Sequence, residues 1–185
     1  MAVLKIINNQ YSDYNEIEKV INYLFRSNSN GECWGSQYLY CPDIPTITYQ
    51  LYNMASYYHI TGNILHHFVL SFDKYNEGWI YHAPAIACRI LDYAFSCMPY
   101  AAIWNVHQDT EHLHIHILMS AVNLSTGLKY RNHQTDHAEL ANAITDGELI
   151  ERKKMGPLYT KTYGFEGCEP EKCYTSIPMC KICYS

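Results

Sequence analysis

Hydrophobic and polar positions along the chain fall into short runs of two periods. Residues 2–7 are apolar and β-branched, end at Asn8-Asn9, and predict a first strand. Asp13, followed three residues later by Glu16, has the form of a capping box, and Ile17, Val20, Ile21 and Leu24 then recur at i, i+3, i+4 and i+7. This spacing predicts an amphipathic helix, stopped by Ser27-Asn28-Ser29-Asn30-Gly31. Tyr23 falls roughly 120° or more from the centre of the apolar stripe at about 100° per residue, so it is expected at the helix flank. Residues 32–45 have no clear period and are expected to form a long loop, with room for a short strand at 37–40. A second helix is predicted over 46–60, a strand over 64–72, and a third helix over 82–98 with Pro84 near its first turn. Strands over 101–106 and 113–122 are expected to form a hairpin, and a fourth helix follows over about 133–150. The order β-α-loop-α-β-α-β-β-α predicts an α+β fold, an antiparallel β-sheet with helices packed mainly on one face.

Composition adds bounds to this picture. A chain of 185 residues that is 48% hydrophobic can bury a sizeable core, and a main domain is expected over 1–150. Residues 151–185 then form a tail that opens on Glu151-Arg152-Lys153-Lys154 and carries four cysteines. No apolar run reaches the roughly 18 residues of a membrane span. The first residues, Met1-Ala2-Val3-Leu4-Lys5, lack the basic and long apolar regions of a signal peptide. A cytoplasmic location is therefore expected, with the eight cysteines as thiols or metal ligands instead of disulfides. A net charge of −5 excludes a generally adhesive nucleic-acid binder and leaves only a local patch for that role.

The strongest chemical signal is a histidine cluster. His107, His112, His114 and His116 place four of the ten histidines within ten residues. His114 and His116 alternate with Leu113, Ile115 and Ile117, so on a strand they share one face, and His107 stands at the mouth of the predicted hairpin. Three converging imidazoles are ligands for Zn, Mn or Fe. Asp109 is placed to orient one imidazole through its second nitrogen. His112, at the strand entrance, is set aside as a substrate or phosphate contact. Such a site either activates water or polarises a phosphate for another nucleophile. A second cluster, Cys168, Cys173, Cys180 and Cys183, fits a structural Zn²⁺ by donor type. Its loose spacing fits free thiols on a tail as well.

The pattern His107-x-Asp109-x-x-His112-x-His114-x-His116, with Asn123 and Gly127-Leu128-Lys129 after it, resembles motif III of mobilisation relaxases of plasmids and conjugative transposons. These belong to the HUH endonuclease superfamily. Ile21-Asn22-Tyr23-Leu24 is similar to the family's first-helix motif, and His67-Phe68-Val69-Leu70-Ser71-Phe72 to its second-strand motif, so the resemblance covers about residues 1–150. It implies a relaxase-like nuclease domain that nicks single-stranded DNA at an origin of transfer for conjugative mobilisation. Tyr23 would be the nucleophile, giving a 5′-phosphotyrosine intermediate, with Tyr11 and Tyr14 as fallbacks and Asp109 as a supporting catalytic residue. His107, His114 and His116 would hold a divalent metal, Mn²⁺ or Mg²⁺ in preference to Zn²⁺. His112, Asn123, Lys129 and Arg131 are candidate DNA contacts. Accessory relaxosome proteins and type IV secretion coupling proteins are the partners it implies. Replication initiators and transposases of the superfamily are a second reading, disfavoured because they place the tyrosine after the histidines. A non-catalytic, metal-stabilised binding module is a third.

Overall fold

A computed structural model of the chain describes residues 2–26, 29–72, 83–107, 114–131, 133–162 and 181–184. Its strands are β1 (Ala2–Ile7), β2 (Ser29–Gln37), β3 (Leu65–Phe72), β4 (Tyr100–His107), β5 (His114–Asn123) and β6 (Lys181–Tyr184). They form one sheet in the order β2-β4-β5-β3-β1-β6, antiparallel except for the β1–β6 pair. The helices are α1 (Tyr14–Leu24), α2 (Ile44–Tyr57), α3 (Ala83–Ser96) and α4 (Gln134–Thr162). The expected α+β class and antiparallel sheet are what the chain forms.

The helices, however, cover both faces and not mainly one. Ile17, Ile21 and Leu24 of α1 and Ile47 and Leu51 of α2 pack on Ile103, Leu118 and Val122. On the opposite face, Ile90, Leu91 and Phe95 of α3 and Leu140 and Ile144 of α4 pack on Trp104, Ile115, Ile117 and Met119. The reason lies in β4 and β5, which are central and buried along nearly their whole length. Histidines occupy only the end of β5 on the α1 side; beyond them Leu118 and Val122 are fully buried. The polar alternation at His112–His116 thus describes one end of a strand whose remainder needs cover on both sides.

Two further departures have local causes. Residues 29–37 form an edge strand on β4 where most of the segment was expected to be loop, and the short strand at 37–40 is absent, because the backbone turns at Tyr38 with a φ of 57°. An edge strand pairs through its backbone and needs no apolar period. Gly35 in β2 also lies so close to the indole of Trp104 that a Cβ would sit 2.7 Å from the ring. The last helix runs past residue 150 to Thr162, so the expected domain boundary falls inside α4, and 181–184 extend the same sheet beside β1. Among the described residues no helix is long and apolar enough to cross a membrane.

Local signals that did hold include the capping box. The Asp13 side chain accepts from Glu16 N at 2.9 Å and Glu16 Oε2 accepts from Asp13 N at 3.3 Å, starting α1 where the sequence predicts. After β5, Asn123 Oδ1 accepts from the N–H groups of Ser125 and Thr126, each at 3.0 Å, and Gly127 adopts a φ of +71°. A Cβ at Gly127 would also meet the Tyr58 ring at 2.7 Å. Replacing Gly127 by Ala therefore combines left-handed strain with a clash, and is expected to lower unfolding free energy by about 1–3 kcal/mol in urea denaturation. A change within error would remove the turn from the set of structural constraints.

Candidate active site

The site is built where the last turn of α1 meets the end of the β4–β5 hairpin. A helix leaves its final carbonyls without intrahelical partners. Here the carbonyl of Leu24 accepts from Asn105 Nδ2 at 2.9 Å and from His107 Nε2 at 2.8 Å, both on β4. These bonds fasten the helix end to the sheet and bring Tyr23, the preceding residue, over it. They also decide the tautomer of the neutral His107 ring. A carbonyl can only accept, so Nε2 carries the proton and Nδ1 the lone pair.

His107 and His114 are direct cross-strand partners, and His116 lies two residues along the same face of β5. One nitrogen from each of His107, His114 and His116 lies within 4.8 Å of the other two, a grouping that can hold a metal ion. His107 and His116 are buried and His114 is half-buried. Burial pushes His116 down to about 2, helped by the charges that His67, His107, His114 and Arg26 would place beside it. It is therefore a neutral donor at physiological pH, the form a metal requires.

His67 completes the cluster from β3. Its Nε2 lies 2.9 Å from His116 Nδ1, its Nδ1 lies 3.1 Å from the Tyr11 hydroxyl, and Asn9 Nδ2 donates to that hydroxyl at 3.2 Å. Burial holds His67 at about 4, so this chain of groups is uncharged. Ser71, four residues along β3, pairs with His114 in the β3–β5 ladder.

Tyr23 stands at the centre. Its hydroxyl lies 3.3 Å from His116 Nε2, and its ring centroid is 5.1, 5.8 and 6.4 Å from those of His116, His107 and His67. The Arg26 guanidinium sits 4.4 Å above the Tyr23 ring centroid. Tyr23 is 37% exposed, and a cavity of about 560 Å³ bordered by Tyr23, His67, His116 and Lys19 opens beside it. A flexible anionic chain can reach this hydroxyl from solvent.

The structure thus brings Tyr23, His107, His114 and His116 together. Tyr14 is elsewhere, its hydroxyl donating to the Pro45 carbonyl at 3.4 Å, and Tyr11 is only 7% exposed behind His67. Asn123 caps the turn after β5, and Lys129 and Arg131 border a separate cavity. Asp109, His112, Cys168, Cys173 and Cys180 lie outside the described residues; Cys183 stands in β6 opposite Lys5. Two participants had weak sequence signals. Alternation lets only one of His66 and His67 face the site without saying which, and Arg26 stands three residues after Tyr23, beyond the last apolar position of α1.

A family model described as "Relaxase: MobA/VirD2-like, nuclease domain" matches residues 23–152, more than half of the chain. No curated protein and no solved structure matches it.

His66, on the opposite face from His67, offers a test of the burial. Burial, with Lys129 and His137 adding to it and Asp136 opposing it, pushes His66 from 6.5 down to about 4. The unfolded chain takes up this proton near pH 6.5 and the folded chain only near 4, so the group's contribution is present above 6.5 and lost as pH falls toward 4. Urea midpoints are expected to drop over that interval, with a shallower fall in His66→Gln. Parallel curves for the two proteins would contradict the assignment.

Proposed function

The chain belongs to the MobA/VirD2-like relaxase nuclease-domain family, and from that premise we propose that it nicks single-stranded DNA by attack of Tyr23 on a backbone phosphate held at His107, His114 and His116. The observation that carries this reading is the 3.3 Å separation of the Tyr23 hydroxyl from His116 Nε2. Nucleophile and metal-binding nitrogen then face the same phosphate.

The donor set fits a divalent cation: three imidazoles, with one nitrogen of each within 4.8 Å of the others. All-nitrogen ligation suits Zn²⁺ better than Mg²⁺, which prefers oxygen. When bound, such an ion supplies Lewis acidity to a phosphate oxygen. Binding through His116 Nε2 requires Nδ1 of that ring to carry its proton, which it donates to His67 Nε2. His67 Nδ1–H then donates to Tyr11, whose oxygen also accepts from Asn9. Every group in this line has a defined role, and none needs a net charge.

Tyr23 forms the bond to phosphorus, its phenolic proton leaving to water in the adjoining cavity. The 3′ oxygen departs with its electron pair and is protonated, leaving a 5′-phosphotyrosine and a free 3′-hydroxyl. Arg26 over the Tyr23 ring favours the developing phenolate by its positive charge. Attack of a 3′-hydroxyl on the phosphotyrosine reverses the step and rejoins DNA. This reading makes an origin of transfer the DNA substrate and conjugative mobilisation the process, with relaxosome and type IV secretion coupling proteins as partners.

Incubation with Mn²⁺ and end-labelled single-stranded oligonucleotides of a random pool, followed by a denaturing gel, tests the reading. Wild type is expected to give a covalent protein–DNA adduct that Tyr23→Phe abolishes while keeping its fold. An adduct that persists in Tyr23→Phe, or none with any DNA in the metal-loaded protein, would contradict it. The outer line has its own readout. His67→Phe is expected to weaken Mn²⁺ binding by about 10–100-fold in calorimetry without unfolding the chain. Unchanged affinity would reduce His67 to a packing residue.

A further inference from the structure

Beside the active-site cavity lies a second one of about 590 Å³, within the usual size of a small-ligand site. Asn9 and Gln10, in the segment after β1, border both cavities, so a strand crossing that segment from one enters the other. The far wall of the second cavity carries Lys129, Arg131 and His133, between the end of the β5 turn and the first residue of α4.

This wall is built, not incidental. The Asn123 and Gly127 turn returns the chain so that Lys129 bridges Val122, and Lys129 Nζ donates to the Thr61 carbonyl at 2.6 Å. One ammonium donor is thereby anchored, and two remain to face an acceptor. Arg131 is exposed, and the N-terminus of α4 adds positive potential at His133. Asp136 is the acidic group of that turn, and its Oδ2 accepts from His133 N at 3.1 Å. The chain has only 13 Lys and Arg and a net charge of −5, which makes two cations on one cavity wall a local exception. The aromatic side of the cavity is His66 against Tyr130, ring centroids 4.8 Å apart. His66 is 6% exposed, and among the described residues its Nε2 has no hydrogen-bond partner.

We propose that this cavity is a nucleotide subsite for the DNA strand, in which Arg131 and Lys129 hold the phosphate of a residue flanking the scissile bond and the His66 wall receives its base. The assignment rests on the nicking function proposed above and extends it along the strand. It also explains how an acidic protein holds a polyanion, by two adjoining cavities instead of a basic surface.

The test uses the full chain carrying Tyr23→Phe, so that binding is not followed by cleavage. A fluorescent single-stranded oligonucleotide is titrated by anisotropy in chelator over a range of salt concentrations. Each phosphate contact on single-stranded DNA contributes about 0.7 to the slope of log affinity against log salt. Adding Arg131→Ala is expected to lower the slope by about that amount, and Lys129→Met to do the same. Replacing single phosphates by methylphosphonates should reveal one flanking position whose penalty is present in the parent and absent in Arg131→Ala. Arg131 is exposed, so its variant remains informative if Lys129→Met folds poorly. Slopes and methylphosphonate profiles identical to the parent's, with wild type still forming the Tyr23 adduct, would overturn the subsite and leave the nicking function standing. Absence of both binding and adduct would overturn the two together.

Discussion

The carbonyl of Leu24 is the joint on which this site depends. It closes α1 against β4 by accepting from Asn105 and His107 at once. Three consequences follow from that single group. The helix end is satisfied without solvent, the preceding Tyr23 is set above the sheet, and His107 is held in the tautomer whose Nδ1 can serve a metal. A substitution that moved the end of α1 would therefore displace Tyr23 and His107 together. Helix and hairpin are distant in sequence, 83 residues apart at this contact, yet they meet through an ordinary requirement of helix termini.

Neutrality is the second organising feature. Burial keeps His67 and His116 well below their ordinary range, and the line from His116 through His67 to Tyr11 and Asn9 contains no carboxylate. Among the described residues, three imidazole ligands and this uncharged line would leave the charge of a bound cation available to a phosphate. An outer carboxylate would offset part of that charge. On the reading proposed above, attraction for a polyanion would be concentrated at the metal site, at Arg26 and at the cavity wall of Lys129 and Arg131, which suits a chain of net charge −5.

Much of this was legible in the residues themselves. The capping box at Asp13 and Glu16 and the stripe at Ile17, Val20, Ile21 and Leu24 place α1 and put Tyr23 on its flank. The hairpin register follows from alternation, which is why His107, His114 and His116 converge as their spacing suggests. What could not be read depends on long-range pairing. β2 is an edge strand with glycines and polar residues, held by backbone bonds to β4, so it leaves no periodic trace. The two-sided cover of the sheet was hidden because the histidines of β5 mimic a half-solvated strand. The choice of His67 over His66 required the β1–β3–β5 register, in which His67 lies opposite Ile7 and Leu118 on the α1 side. Lys129 and Arg131 were legible as candidate DNA contacts, and what the fold adds is the cavity they share with Asn9 and Gln10.

The central claim, that His107, His114 and His116 form one metal site beneath Tyr23, is tested most directly by calorimetric titration of metal-free protein with Mn²⁺, an ion that thiolates do not favour. The account predicts a single saturable site in wild type and in Tyr23→Phe, lost in His107→Ala, in His114→Ala and in His116→Ala. Wild-type stoichiometry and affinity in all three histidine variants would contradict it.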